Sequence, residues 1–364
     1  MNLRVLHLIN SLDRAGAEIA VAKLSLELVK SGAKVSIAAL AGGDPHLVDE
    51  GRANGVDVEL LGERNIRNPI CLWKLHRLLR RGKWDVLHAH LFPTQYWAAL
   101  TAAKEMILVT TEHTTLNRRM KYRVLQPLEA AIYRRYSCVI CNSDATADRF
   151  ATWLPSVKEL IRVIENGIDV EQISNYPRAD FSKLGIQGPV VLCVGRLEYE
   201  KGQDVLVRAI QHIPGATLVL VGTGSRYGKL VELARSLHLG ERVRFLGQST
   251  EVAGLMKGCD VYVQPSRWEG FGMAALEAIA SGARIVASDV PGLGDLVRQV
   301  GRVSPPNDYV LLANAITDAM KDPVDQESRT DLLARYSLRK ACRKHLELYV
   351  SIVSSARASG PAPR

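Results

Sequence analysis

Residues 189–195, PVVLCVG, are apolar at nearly every position and end on glycine. A strand reads this way when helices cover it above and below, so that neither face meets water. Similar runs precede it: RVLHLIN (4–10), KVSIAAL, DVELL, DVLHAH, LVTTEH and CVICNS. TLVLVG, VRFLG, DVYVQPS and RIVAS follow. Between them lie stretches with helical apolar spacing, such as AEIAVAKLSLELVKSG (17–32), which closes on Gly32. Strand and helix in alternation predict an α/β chain of parallel, doubly wound sheets. The pattern runs once through the first half and restarts near Pro189. NYPRADFSKLGIQGP (175–189), rich in polar and turn residues, supplies the join. The expectation is two Rossmann-like domains, 1–170 and 171–337. A helix over 338–353 is expected to cross back to the first, and 354–364 to be a disordered tail. In such sheets ligands collect at the carboxyl ends of the strands, so a cleft between the two domains is the expected site.

At 364 residues the chain is too long for one ordinary core. No apolar run reaches the roughly 18 residues of a membrane span. MNLRVLHLIN is followed at once by Asp13 and Arg14, so it reads as a buried strand and not a secretion leader. Six scattered cysteines then suggest free thiols in a reducing cytoplasm. Cys138 and Cys141 form a CxxC, but residues three apart in a strand face opposite ways and no second ligand pair exists. No metal site is expected.

The net charge is +9, and residues 64–135 alone hold 14 Lys/Arg against four acids. The remainder is close to neutral. Such an excess suits an anionic partner. No nucleic-acid motif or aromatic stacking platform accompanies it, which disfavours DNA or RNA.

Four short segments carry chemistry. SLDRAGAE (11–18) enters a helix, and Gly16 lets backbone approach an anion there, or simply makes the turn. The absence of GxGxxG disfavours a nicotinamide or flavin. VGRLEYEKG (194–202) places Arg196 and Lys201 in a strand-to-helix loop. They could grip a diphosphate, or form a solvated loop with a salt bridge to Glu198 or Glu200. WEGFGMAALEAIASG (268–282) sets Glu269 before a glycine-flanked helix start and Glu277 eight residues later. Free helix N–H groups and two carboxylates suit phosphate, sugar and ribose oxygens. In LVTTEHTT (108–115), His113 follows a strand and is either structural or cleft-facing.

In this order the segments resemble the family 4 (group 1) retaining glycosyltransferases of GT-B architecture, over nearly the whole chain. EGFGMAALE matches that family's pair of glutamates with seven residues between them. VGRLEYEKG matches its Arg and Lys loop. ENGID (165–169) matches its lead into the second domain, and AGAE its GGAE, with Ala15 for the first glycine. The resemblance implies a nucleotide-sugar donor. Arg196 and Lys201 would bind its diphosphate and Gly16 the same phosphates. Glu269 would hold the sugar, with main chain at Phe271, Gly272 and Met273. Glu277 would hold the ribose, His113 the sugar near the reacting centre, and Gly247 and Gln248 would lie near the base. No cofactor or metal is implied, and no DxD appears. Two loops depart from the usual pattern: VGTGSRYG (221–228) and GLGD (292–295).

The first domain would take the acceptor, a saccharide carried on a polyprenyl diphosphate. CLWKLHRLLRRGK (71–83) reads as an amphipathic helix, with Leu72, Leu75, Leu78 and Leu79 on one face and Lys74, Arg77, Arg80 and Arg81 elsewhere. TLNRRMKYR adds Arg118 and Arg119. These predict an anionic membrane surface at the inner face of the plasma membrane, and a role in exopolysaccharide, capsule or lipopolysaccharide assembly. Competing readings are a nucleotide-sugar epimerase and a non-catalytic binding protein of the same fold.

Overall fold

A computed structural model of the chain describes residues 3–62 and 69–358, apart from the side chains of Pro69 and Arg118. Arg64, Arg67, the Arg118 side chain and 359–364 therefore lie outside the described residues. The chain forms two compact units. One comprises Met1–Gly167 with Leu338–Arg364, the other Ile168–Ser337. The last helix runs from Leu338 to Ala358, so residues 354–358, expected to be disordered, are helical. Tyr349 and Val353 bury themselves in the first unit's core and hold it there.

Among the described residues the first unit has seven strands: β1 (Arg4–Ile9), β2 (Lys34–Ala39), β3 (Asp57–Leu60), β4 (Val86–His90), β5 (Ile107–Glu112), β6 (Cys138–Cys141) and β7 (Ile161–Val163). All pair in parallel, in the order β3-β2-β1-β4-β5-β6-β7. Alternate residues of β1 feed opposite layers. Val5 and Ile9 pack under the helices Gly16–Lys30 and Leu338–Ala358, and Leu6 and Leu8 under those at Pro69–Arg81 and Thr94–Thr101. Cys138 and Cys141 likewise fall in opposite layers, and burial raises both thiols, Cys138 to about 12.

The second unit has six: β8 (Val190–Val194), β9 (Thr217–Val221), β10 (Val243–Gly247), β11 (Val261–Gln264), β12 (Arg284–Ser288) and β13 (Arg302–Ser304), in the order β10-β9-β8-β11-β12-β13. Both sheets reverse their winding beside the first strand of the unit, at β1/β4 and at β8/β11. A doubly wound sheet opens its ligand crevice at that switch point, beyond the carboxyl ends of the strands.

The helix Pro69–Arg81 corrects one expectation. Its apolar face, Cys71, Leu75 and Leu79, is buried in the unit's own core, so it is unavailable to a bilayer. Lys74, Arg77, Arg80 and Arg81 do face outward. So does Trp73, 60% exposed, with the Arg77 guanidinium 5.4 Å from its ring centre.

Candidate functional site

In the second unit, the loops after β8 and β11 meet at the switch point. Lys201 Nζ donates to Glu269 Oε2 at 2.7 Å. The same oxygen accepts from Gln264 Nε2 at 2.9 Å and Ser266 Oγ at 3.2 Å. Gln264 is itself oriented, because its Oε1 accepts from the Tyr262 hydroxyl at 3.1 Å. A carboxylate bound by three donors is fixed in direction before any ligand arrives.

The two loops are clamped by Arg267. Its guanidinium bonds both Asp204 oxygens, at 2.9 and 2.7 Å, and donates to the Tyr199 carbonyl at 2.6 Å. The Tyr199 ring centre lies 4.1 Å away. Burial alone would raise the Asp204 carboxyl, but the Arg267 hydrogen bonds and charge outweigh it and lower its pKa. Gly202 sits between these groups at φ 66°, and a Cβ there would stand 2.0 Å from the Pro265 carbonyl oxygen. Only glycine lets the Lys201 loop close on β11. Gly222, in the loop that departs from the family pattern, has the same function one strand over: its Cβ would lie 2.1 Å from Gly195 O.

Arg196 differs from Lys201. Its side chain is 62% exposed and pairs with Glu200 at 3.1 Å, as the solvated-loop alternative expected. An exposed pair of this kind contributes little to folding and leaves the guanidinium free to reorient. Glu277 is half-buried on the helix Met273–Ala280, whose first turn has no side-chain cap after Gly272. Phe271 is buried against Tyr336, so its main chain and not its ring is what the loop offers. Gly247 ends β10 and accepts from Gly222 N at 2.7 Å, with Gln248 exposed beside it.

Gly16 and His113 belong to the first unit. Gly16 opens the helix Gly16–Lys30, which no side chain caps, and the space where its Cβ would lie is open. His113 follows β5 and lies over a row of histidines. His7 Nδ1 faces His90 Nε2 at 2.9 Å, and His90 Nδ1 faces His113 Nε2 at 3.3 Å. His88 bonds Tyr349 at 2.6 Å and Thr111 at 2.8 Å. Burial lowers the pKa of His7 to about 3 and of His113 and His345 to about 4, and lowers His88 and His90 as well. The rings are therefore neutral at physiological pH. His7, His88 and His90 bring ring nitrogens within 4.8 Å of one another, but both His88 nitrogens are already taken, which fits a hydrogen-bond network better than a metal site. The cavity lined by His90, Thr111, His113 and His345 measures about 20 Å³. Its closed part has room for a water-sized group.

Arg119 is not the outward-facing cation that the sequence suggested. It is 9% exposed and its guanidinium meets Glu129 at 2.7 Å, Gln95 at 3.2 Å and Tyr133 at 3.3 Å. Phe92, Tyr96 and Trp153 surround it. Burial would lower its pKa, but Tyr133, Glu112 and Glu129 outweigh that and hold it charged. The sequence also missed Gln264, Ser266 and Arg267. The signal was present in DVYVQPSR, where polar residues interrupt the end of an otherwise apolar strand.

Comparison with known proteins identifies the family and the fold. The sequence profile described as "Glycosyl transferases group 1" matches residues 178–336, and "Glycosyltransferase Family 4" matches 14–172. A glycogen synthase of Mycobacterium tuberculosis is 32% identical, over 84% of this chain and 76% of that protein. A phosphatidyl-myo-inositol mannosyltransferase of Mycobacterium leprae is 28% identical, over 93% and 94%. Among solved structures, Anabaena HepE in complex with UDP and glucose superposes with a TM-score of 0.84 at 23% identity, over 96% of this chain and all of that one. The fold is that of the GT-B glycosyltransferases.

Proposed function

This chain belongs to the group 1, family 4 glycosyltransferases, and on that premise we propose that it moves a hexose from a nucleoside-diphosphate sugar to a saccharide acceptor with retention of anomeric configuration. The observation that carries the donor half is the fixed Lys201–Glu269 pair at the switch point of the second sheet. Lys201 and the exposed Arg196 meet the diphosphate, whose charge grows as it leaves. Gly16 approaches the same phosphates. Glu269 accepts from hydroxyls of the sugar, with main chain at Phe271, Gly272 and Met273 alongside. Glu277 takes the ribose, and Gly247 and Gln248 flank the base. His113 contacts the sugar near the reacting carbon. Two cations take the place of a divalent metal, and attack comes from the face the leaving group departs.

The acceptor is a saccharide on a polyprenyl diphosphate at the inner membrane surface, and the product enters exopolysaccharide, capsule or lipopolysaccharide assembly. Support comes from the surface of the first unit. Ile70 and Trp73 project beside Lys74, Arg77, Arg80 and Arg81, and Tyr122, Val124 (84% exposed) and Leu128 project beside Lys121 and Arg123. Interfacial segments combine apolar tips and basic flanks in this way. No helix among the described residues is long and apolar enough to cross a membrane. The relative named for phosphatidyl-myo-inositol points to a lipid acceptor too.

A panel of nucleotide sugars, scored by thermal shift and then by transfer, tests the donor half, because a bound donor stabilises the folded state. The expected product keeps the anomeric configuration by proton NMR. Epimerised nucleotide sugar without transfer would sink the proposal in favour of an epimerase. Donor binding without turnover on any acceptor would favour a binding protein.

A further inference from the structure

Three neutral imidazoles in a row hold their protons collectively. Each ring carries one N–H and one bare nitrogen. Between His7 Nδ1 and His90 Nε2 (2.9 Å), and between His90 Nδ1 and His113 Nε2 (3.3 Å), one member of each pair must donate and the other accept. Two arrangements satisfy this. Either every N–H points outward, from His7 through His90 to His113, or every N–H points inward. The far nitrogen of His7 distinguishes them. His7 Nε2 is buried and has no hydrogen-bond partner among the described residues. The inward arrangement would leave a buried N–H there without an acceptor, and orphaned buried donors are rarer than orphaned acceptors. The outward arrangement leaves a bare lone pair at His7 Nε2.

We infer that His7 and His90 are positioning residues that lock His113 in the Nδ1–H form, so that it presents a hydrogen-bond donor and not a base. Burial, which keeps all three rings neutral, prevents a second proton from erasing this polarity. The other histidines cannot substitute. Both His88 nitrogens are held by Tyr349 and Thr111, and His345 Nδ1 donates to the Ala341 carbonyl at 2.8 Å. The row also runs towards the carboxyl ends where a ligand crevice opens: His7 is inside β1, His90 is the last residue of the neighbouring β4, and His113 follows β5.

The chemical consequence rests on the proposal that His113 contacts the donor sugar. A donor N–H would hold a sugar hydroxyl through its oxygen lone pair and withdraw no proton from it. An acceptor nitrogen would do the opposite.

Ring nitrogen-15 NMR of the full chain, with no substrate present, reads the tautomer directly, and His113→Gln identifies the His113 signals. The expected result is His113 protonated at Nδ1 and bare at Nε2. Protonation at Nε2 overturns the inference, and that outcome is independent of any transferase activity. His7→Asn keeps an N–H where Nδ1 stood and should preserve the His113 signature. His7→Phe removes that donor and should yield mixed tautomers, with kcat about tenfold lower and KM for the donor little changed. If His7→Phe folds and the His113 signature does not move, the row does not set it. If the signature moves while kcat stays constant, the coupling to catalysis is wrong. Wild-type spectra alone decide the tautomer should His7→Phe not fold.

Discussion

Lys201 Nζ stands 2.7 Å from Glu269 Oε2 although 68 residues separate them. The parallel order β8-β11 makes them neighbours, and the pair ties the cation of one strand-end loop to the carboxylate of the next. Both side chains are partly open to solvent, so the bond does more to orient than to stabilise. Lys201→Ala and Glu269→Ala should each lower kcat/KM by about 100- to 1,000-fold, the size of losing one preorganised charge. The double variant should be little worse than either single one, because the two groups act as a unit. Steady-state kinetics on the four proteins check this. Additive losses would mean that the residues act separately.

Arg119 should behave as a core residue and not as an acceptor contact. Its removal strands the buried Glu129 carboxylate, which burial already pushes towards protonation. Arg119→Ala should cost about 3–5 kcal/mol. Arg119→Lys should not restore it, because an ammonium cannot reach Glu129, Gln95 and Tyr133 in one plane. Urea midpoints measure the loss. A raised acceptor KM with an unmoved midpoint would return Arg119 to the substrate.

Gly202→Ala places a methyl group 2.0 Å from the Pro265 carbonyl oxygen at a φ of 66°. The Lys201 loop must then lift from β11, and the Arg267 clamp with it. Stability should fall by roughly 2 kcal/mol or more, and the thermal shift given by nucleotide sugar should vanish. A donor response equal to the parent's would show that the close approach of the loops is not needed for binding.

How much of this was legible depended on the physics behind each feature. Fully buried strands announce themselves as apolar runs, so β1, β4, β8 and β9 were visible. β7 (IRV) and β13 (RVS) were not, because three residues at a sheet edge are too few to carry a period. Lys201 and Glu269 were legible as types of residue at strand ends. Their partners Gln264, Ser266 and Arg267 were not, since each is defined by a contact across the sheet. The Arg119 misreading has the same origin. Clustered cations look like a surface until Glu112 and Glu129, from a strand and a helix, fold around one of them. The histidine row was invisible because His7 and His90 come from two strands and His113 from the loop after a third.

Charge reversal at Arg77, Arg80 and Arg81 should reduce sedimentation with anionic liposomes, and Trp73→Ala with Val124→Ser should reduce it further. The basic set supplies the long-range attraction, at about 1 kcal/mol per residue near the surface, and the two apolar tips the short-range part. All five side chains are exposed, so folding should be unaffected. Equal sedimentation of parent and variants would remove the membrane from the proposal and leave a soluble acceptor.

The buried histidines make stability depend on pH, and the sign follows from which state takes up protons first. An unfolded histidine protonates near pH 6.5. In the folded chain burial holds His7 at about 3 and His113 and His345 at about 4, with His88 and His90 also depressed. Between pH 6.5 and about 4 the unfolded state therefore binds more protons than the native one. Stability is fully present above pH 7 and falls as the pH drops through that window. Each histidine that stays neutral contributes about 1.4 kcal/mol per pH unit near pH 5, so even two of the five give a slope of about 3 kcal/mol per unit. Urea midpoints between pH 7.5 and 5.0 should shift downward accordingly. His345→Phe removes one such group while sacrificing a bond to a carbonyl one helical turn away. Its slope should be shallower by about one histidine's share. A slope unchanged in that variant would mean that the acid sensitivity resides in the carboxylates, with the histidines titrating as they do in water.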